Sequence, residues 1–225
     1  MRMLVPVSWK TLAAFGLAVT VATAAHELGH HLVAAVECGG FGRASFTRFQ
    51  EREGCQSLVG NTSGPVISFL ILWWGAWAIR SGWGRLRGFA AVIGAMPLVR
   101  LASVMSGGDD WNYVGRLVAR NSFIWPLSIL VLALIIPPMV LAWRAVGNRH
   151  RWAVYLASLL LPLFPMVILQ PLDVRTYFTW IDHPDQFHQP VWLGVPLAVW
   201  AVYLTATLLF VLWAWPWMKG QERQA

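Results

Sequence analysis

Charged residues are scarce in this chain: aspartate, glutamate, lysine and arginine make up 12% of it, against 57% hydrophobic residues. Soluble globular domains carry roughly 25% charge. Half that amount excludes an ordinary soluble domain and points to a chain solvated by lipid. Cysteine is nearly missing too, with only Cys38 and Cys55. Two thiols cannot build a structural zinc site by themselves. They lie in one polar segment, where they either close a disulfide in an oxidising compartment or stand as two unrelated free thiols. Low-complexity tracts and convincing internal repeats are also lacking. The formal charge is +7, but the basic residues are scattered over short segments without forming a stripe. Nucleic-acid binding is therefore not expected, and the charge reads as a device of membrane orientation.

What the chain does have is long apolar runs and 15 tryptophans. Six apolar segments stand out, at 11–36, 65–81, 88–106, 122–143, 152–172 and 192–217. All but the second comfortably meet the length of about 20 residues that a helix needs to cross lipid. The expected fold is all-α, a polytopic membrane helix bundle of about six spans. Residues 1–225 form one membrane-embedded domain, with a core at 11–120 and further spans over 122–217. Many tryptophans fall near span ends, among them Trp83, Trp143, Trp152, Trp192 and Trp215, where an apolar ring with one N–H suits the interface. The main polar pieces are 37–63 and 173–191. Ala22-Thr23-Ala24 resembles a signal-peptidase site. The apolar run continues past it through Leu32–Val36, so a retained span is expected.

Six spans put both termini on one side. That side holds Arg2, Lys10, Arg80, Arg85, Arg87, Arg144, Arg149, Arg151, Lys219 and Arg223. The other holds Arg43, Arg48, Arg52, Arg116, Arg120 and Arg175. The bias predicts cytoplasmic termini in an integral, multi-pass protein of a bacterial-type plasma membrane.

The chemistry centres on His26-Glu27-Leu28-Gly29-His30, an H-E-x-x-H pattern. Residues four apart share a helix face, so His26 and His30 can direct nitrogens at one metal ion. Glu27 lies about 100° round the helix, where it can reach a bound water rather than the metal. Such a glutamate takes the proton as zinc-activated water attacks a carbonyl. Polar groups inside an apolar span are costly, which favours function over a merely satisfied helix turn. A catalytic zinc normally has three protein ligands. The candidate source of the third is Ser106-Gly107-Gly108-Asp109-Asp110-Trp111-Asn112, although this segment taken alone reads better as a solvated loop with capping aspartates. The motif lies late in the first span and Asp109 ends the third. Those spans run in the same direction, so both reach the same membrane face.

HELGH in a span, Gly64-Pro65 opening the next and Gly108-Asp109 after the third together resemble the site-2 protease family of intramembrane metalloproteases. The resemblance covers about residues 20–115. It implies Zn2+ held by His26, His30 and Asp109, with Glu27 as catalytic base and membrane proteins as substrates. Ser68 stands near where the family often has asparagine after Gly-Pro. Gly-Asp-Asp replaces the usual Asp-Gly, so Asp109 is preferred and Asp110 stays open. Family sites lie nearer the cytosol, whereas the charge count puts the HELGH end outside. Both expectations cannot hold here.

Other residues have competing readings. His31 is turned away from the His26 and His30 face. It can hydrogen-bond Glu27 or a group on another element. Arg100, a lone charge in the third segment, can pair with Glu27, an aspartate or a substrate carbonyl, or snorkel to an interface. Asp182, His183, Asp185 and His188 read as a solvated loop rather than a second metal site. Against the protease stands a non-catalytic membrane protein, such as an inactive relative, regulator or transporter, using the same polar residues to bind an ion or partner.

Overall fold

The computed structural model describes residues 2–106, 124–163, 173, 177, 180 and 187–224. Helix α1 (Trp9–Glu37) begins where the Ser8 hydroxyl accepts from the Thr11 amide at 3.3 Å. Its 29 residues span about 43 Å at 1.5 Å per residue, more than the hydrocarbon thickness of about 30 Å. His26 lies roughly 25 Å along it, just past its middle. A short antiparallel hairpin follows, β1 (Arg43–Ala44) against β2 (Phe49–Gln50), with Arg43 opposite Gln50. The Cys38–Cys55 disulfide closes the loop that carries it, which settles the choice the two cysteines left open.

Helix α2 (Leu58–Ser81) starts seven residues before its expected apolar run. Capping rather than hydropathy sets this start. The Ser57 hydroxyl accepts from the Gly60 amide at 2.8 Å. The Glu37 and Glu51 carboxylates accept from the Val59 and Ser57 amides at 3.2 and 2.8 Å. Negative groups are favourable at a helix N-terminus. Gly64-Pro65 therefore lies inside α2 and does not open it.

The third expected span is broken. Helix α3 (Arg85–Gly94) ends and α4 (Pro97–Ser106) begins across Ala95 and Met96. The residue before a proline is pushed out of the helical region, and Pro97 suits a first helical position. Met96 adopts φ 54°, uncommon for a non-glycine. Then come α5 (Ile124–Ala145) and α6 (Arg151–Leu160). Residues 164–172 of the expected fifth span lie outside the described residues. A second hairpin, β3 (Val191–Trp192) with β4 (Val195–Pro196), leads into α7 (Leu197–Leu209). A π-helical turn over Phe210–Ala214 connects α7 to α8 (Trp215–Gln224).

The fold is mostly helical, as expected, with two small hairpins added to the all-α reading. Among the described residues, five stretches are long and apolar enough to cross a membrane: Trp9–Glu37, Leu58–Ser81, Arg85–Ser103, Ser128–Ala145 and Leu197–Arg223. Phe15, Leu72, Phe89, Ile93, Ile135 and Met218 form the centre of the main core. Large apolar side chains such as Leu12, Leu70, Ile129, Leu208 and Leu212 are exposed, which is compatible with a lipid-solvated exterior.

The bundle has two distinct ends. At one, Met3 pairs with Val146, the Met3 amide donates to Ala145 at 2.8 Å, and Gly147 donates to Met3 at 2.7 Å. Arg87 grips Glu222 at 2.9 Å beside it. At the other end the two hairpins meet, the Ala44 amide donating to the Gly194 carbonyl at 2.9 Å.

Candidate metal centre

His26 and His30 sit one turn apart on α1, both 4% exposed. Their Nε2 atoms face each other at 3.2 Å. His30 Nδ1 lies 2.8 Å from the Gly60 carbonyl. A carbonyl only accepts, so Nδ1 carries the proton and a neutral His30 presents its Nε2 lone pair inward. His26 Nδ1 lies 3.1 Å from the Ser68 hydroxyl. Ligating histidines are commonly held this way through the second nitrogen. Two imidazoles bound tetrahedrally at 2.0–2.1 Å keep their nitrogens about 3.3 Å apart. The observed pair therefore fits two ligands of one ion.

Helix α2 supplies both partners, and Gly64 lets it come this close. A Cβ at Gly64 would run into the His30 ring and lie 2.8 Å from His26 Cε1. The Gly64-Pro65 element of the sequence thus has a steric role: it is the floor beneath the histidine pair. Glu27, the next residue on α1, is half-buried.

Arg100 enters from α4 and is 9% exposed. Its Nη2 lies 2.8 and 2.9 Å from the two ring nitrogens of His26, and 3.5 Å from the Ser68 hydroxyl. One neighbour is thus His26, a partner that none of the sequence readings of Arg100 named. The break at Met96 sets the direction from which α4 brings Arg100 in.

The hairpins form a roof. Phe49 stacks on His30 with centroids 5.7 Å apart and planes at 10°. His31 is fully buried between Phe41 and Phe49, and its Nε2 donates to the Leu193 carbonyl at 2.6 Å. Its partner is therefore the β3–β4 turn rather than Glu27. That turn places Leu193 at φ 51° and Gly194 at φ 75°, the paired positive angles of a type I′ hairpin.

Asp173 is a residue that the motif reading passed over. It is fully buried, and its carboxylate accepts from Ser45 Oγ, the Phe46 and Thr47 amides, and Thr47 Oγ1 at 2.7–3.1 Å. It pins the tip of the first hairpin above the site. Its only sequence signal is an acid at the edge of a polar segment. Tyr203 adds a second anchor, donating to the Phe46 carbonyl at 3.0 Å.

Asp109 and Asp110 lie outside the described residues. Among the described residues no group of three His, Cys, Asp or Glu gathers around one point. Of the second acid–histidine cluster, His188 is exposed and Asp182, His183 and Asp185 lie outside the described residues. No protein-family model, curated protein or solved structure matches the chain.

Proposed function

We propose that this chain is a membrane-embedded zinc metalloprotease of the site-2-protease kind, cleaving membrane or membrane-proximal proteins. The observation that carries the reading is the His26–His30 pair, with Nε2 atoms 3.2 Å apart and each Nδ1 held by α2. His26, His30 and Asp109 would hold the ion, with Asp110 as the alternative third ligand. Arg100 on α4 reaches His26, and α4 runs on to Ser106, three residues before Asp109. That continuity supports an aspartate arriving nearby.

When bound, zinc would polarise the scissile carbonyl and acidify a water. Glu27 is the general base, receiving the water's proton and passing it to the leaving amine. Arg100 can only donate, which suits it to a carbonyl oxygen that gains negative charge during attack. Phe49 and the hairpin above it shield the site from bulk solvent on that side.

Orientation follows from two features at opposite ends. The disulfide lies at the HELGH end and belongs to an oxidising compartment. The termini lie at the end rich in lysine and arginine, the cytoplasmic side by the positive-inside rule. Both favour a site opening towards the outer face, against the family tendency.

One observation favours a second reading, a non-catalytic relative. The Arg100 guanidinium lies 2.9 Å from His26 Nε2, so a cation already stands at a proposed ligand. Metal analysis of the purified full chain distinguishes the two. The protease reading expects about one zinc per chain. It also expects Glu27→Gln to keep the zinc and lose cleavage of co-expressed single-span reporter proteins. Metal-free protein, or full cleavage by the variant, would overturn it.

A further inference from the structure

Among the described residues, the terminal end of the bundle holds ten of the chain's 17 lysines and arginines but one acid, Glu222. Arg87 occupies that acid, with Nε and Nη2 at 3.0 and 2.9 Å from Oε2. An end so short of anions attracts them.

One open pocket there, about 690 Å³, is lined by Arg2, Asn148, Arg149, His150, Arg151 and Trp152, and by no acid. The fold assembles it from distant sequence. Asn148 exchanges two hydrogen bonds of 2.9 Å with the Val5 backbone. Together with the Met3–Val146 bridge, these bring Arg2 to the turn between α5 and α6. Helix α6 begins at this pocket, and its N-cap His150 makes no side-chain capping bond. The first amides of α6 thus add partial positive charge to that of the side chains.

Ala153 lines this pocket and also a second, apolar one of about 340 Å³. The second runs between the N-terminal segment and α6, along Val7, Leu12, Phe15, Val154, Ala157 and Leu161. Trp152 lines the first and is exposed, and Trp143 packs on it at 4.8 Å. Aromatic belts of this kind mark the level of the lipid headgroups. Below that level lies the groove; above it lie the cations.

We propose that this paired site binds an anionic phospholipid. The phosphate-bearing headgroup rests on Arg2, Arg149 and Arg151, and one acyl chain lies in the groove towards Ala157 and Leu161. A basic pocket at the cytoplasmic membrane surface selects anionic over zwitterionic headgroups. A free phosphate would use the cations but leave the groove without purpose. The inference rests on membrane embedding and is independent of protease chemistry.

The test uses the full chain in nanodiscs of equal phosphatidylglycerol and phosphatidylcholine, followed by gentle extraction and native mass spectrometry of retained lipid. Phosphatidylglycerol should be retained preferentially. One basic group near an anionic surface contributes about fivefold. The triple change Arg2→Gln, Arg149→Gln, Arg151→Gln should therefore lower the preference at least about tenfold, and lysine at the same positions should restore most of it. Arg80→Gln with Lys219→Gln, exposed cations outside the pocket, should leave it unchanged. Ala157→Trp, at an exposed position in the groove, should abolish retention with every charge intact. The proposal is overturned if the triple variant retains lipid like the parent. It is equally overturned if Ala157→Trp has no effect, or if millimolar inorganic phosphate displaces the lipid completely.

Discussion

If the histidine pair holds zinc as proposed, replacing Gly64 with alanine should weaken that binding in a protein that stays folded. A Cβ there would stand 2.5 Å from His30 Cδ2 and 2.8 Å from His26 Cε1. Carbon contacts settle near 3.5 Å or more, so about 1 Å must be found. If the His30 ring moves, its Nε2 leaves its place opposite His26. If α2 retreats instead, it takes the Gly60 carbonyl away from His30 Nδ1, because Gly60 lies on the same helix. Either relaxation spoils the pair. Overpacking of this size costs about 1–3 kcal/mol, and disturbing the groups that orient a ligand weakens metal binding about 10–100-fold. The assay is zinc per chain by elemental analysis under graded chelator, with thermal unfolding measured on the same samples. Two comparisons make it decisive. Gly29→Ala alters the motif itself, yet its Cβ would overlap only the flexible end of Ile67, so zinc should be kept. Gly75→Ala meets the Gly88 carbonyl oxygen at 2.6 Å, far from the histidines, so stability should fall while zinc affinity holds. The reasoning is refuted if Gly64→Ala binds zinc like the parent, or if Gly29→Ala loses as much.

The remaining expectations concern the groups around the pair. Ser68→Ala removes the hydroxyl at His26 Nδ1 and should weaken zinc about tenfold, read by the same chelator titration. Arg100→Gln should lower cleavage with zinc content unchanged if Arg100 serves the carbonyl oxygen; a large rise in zinc affinity with no activity in either form would favour the non-catalytic reading. Asp173→Ala leaves the donors of residues 45–47 without their shared acceptor and should cost about 3 kcal/mol, seen as faster proteolysis near residues 45–50. Changing Cys38 and Cys55 together to serine opens a loop of 17-residue separation and should cost about 3 kcal/mol on the loop-entropy account, measured as a lower unfolding temperature that reductant no longer shifts.

The sequence by itself determined the kind of chain this is. Hydropathy and scarce charge were enough to find the long apolar helices, because span length is set locally by rise per residue and bilayer thickness. The same local rule put His26 and His30 on one face, since residues four apart on a helix are neighbours. Boundaries were less legible. Helix α2 starts at Leu58 because Ser57, Glu37 and Glu51 cap it, and two of those three are brought there by the folded loop. The broken third span was visible only as Pro97. Everything that acts on the pair from outside α1 needed the tertiary structure. That Gly64 is the floor, Phe49 the roof, Arg100 a neighbour of His26 and Asp173 a hairpin pin depends on contacts between residues far apart in sequence, up to 128 positions for Ser45 and Asp173. No local pattern encodes such contacts. They exist because close helix packing and buried polar groups each demand a particular partner, and only the folded chain delivers it.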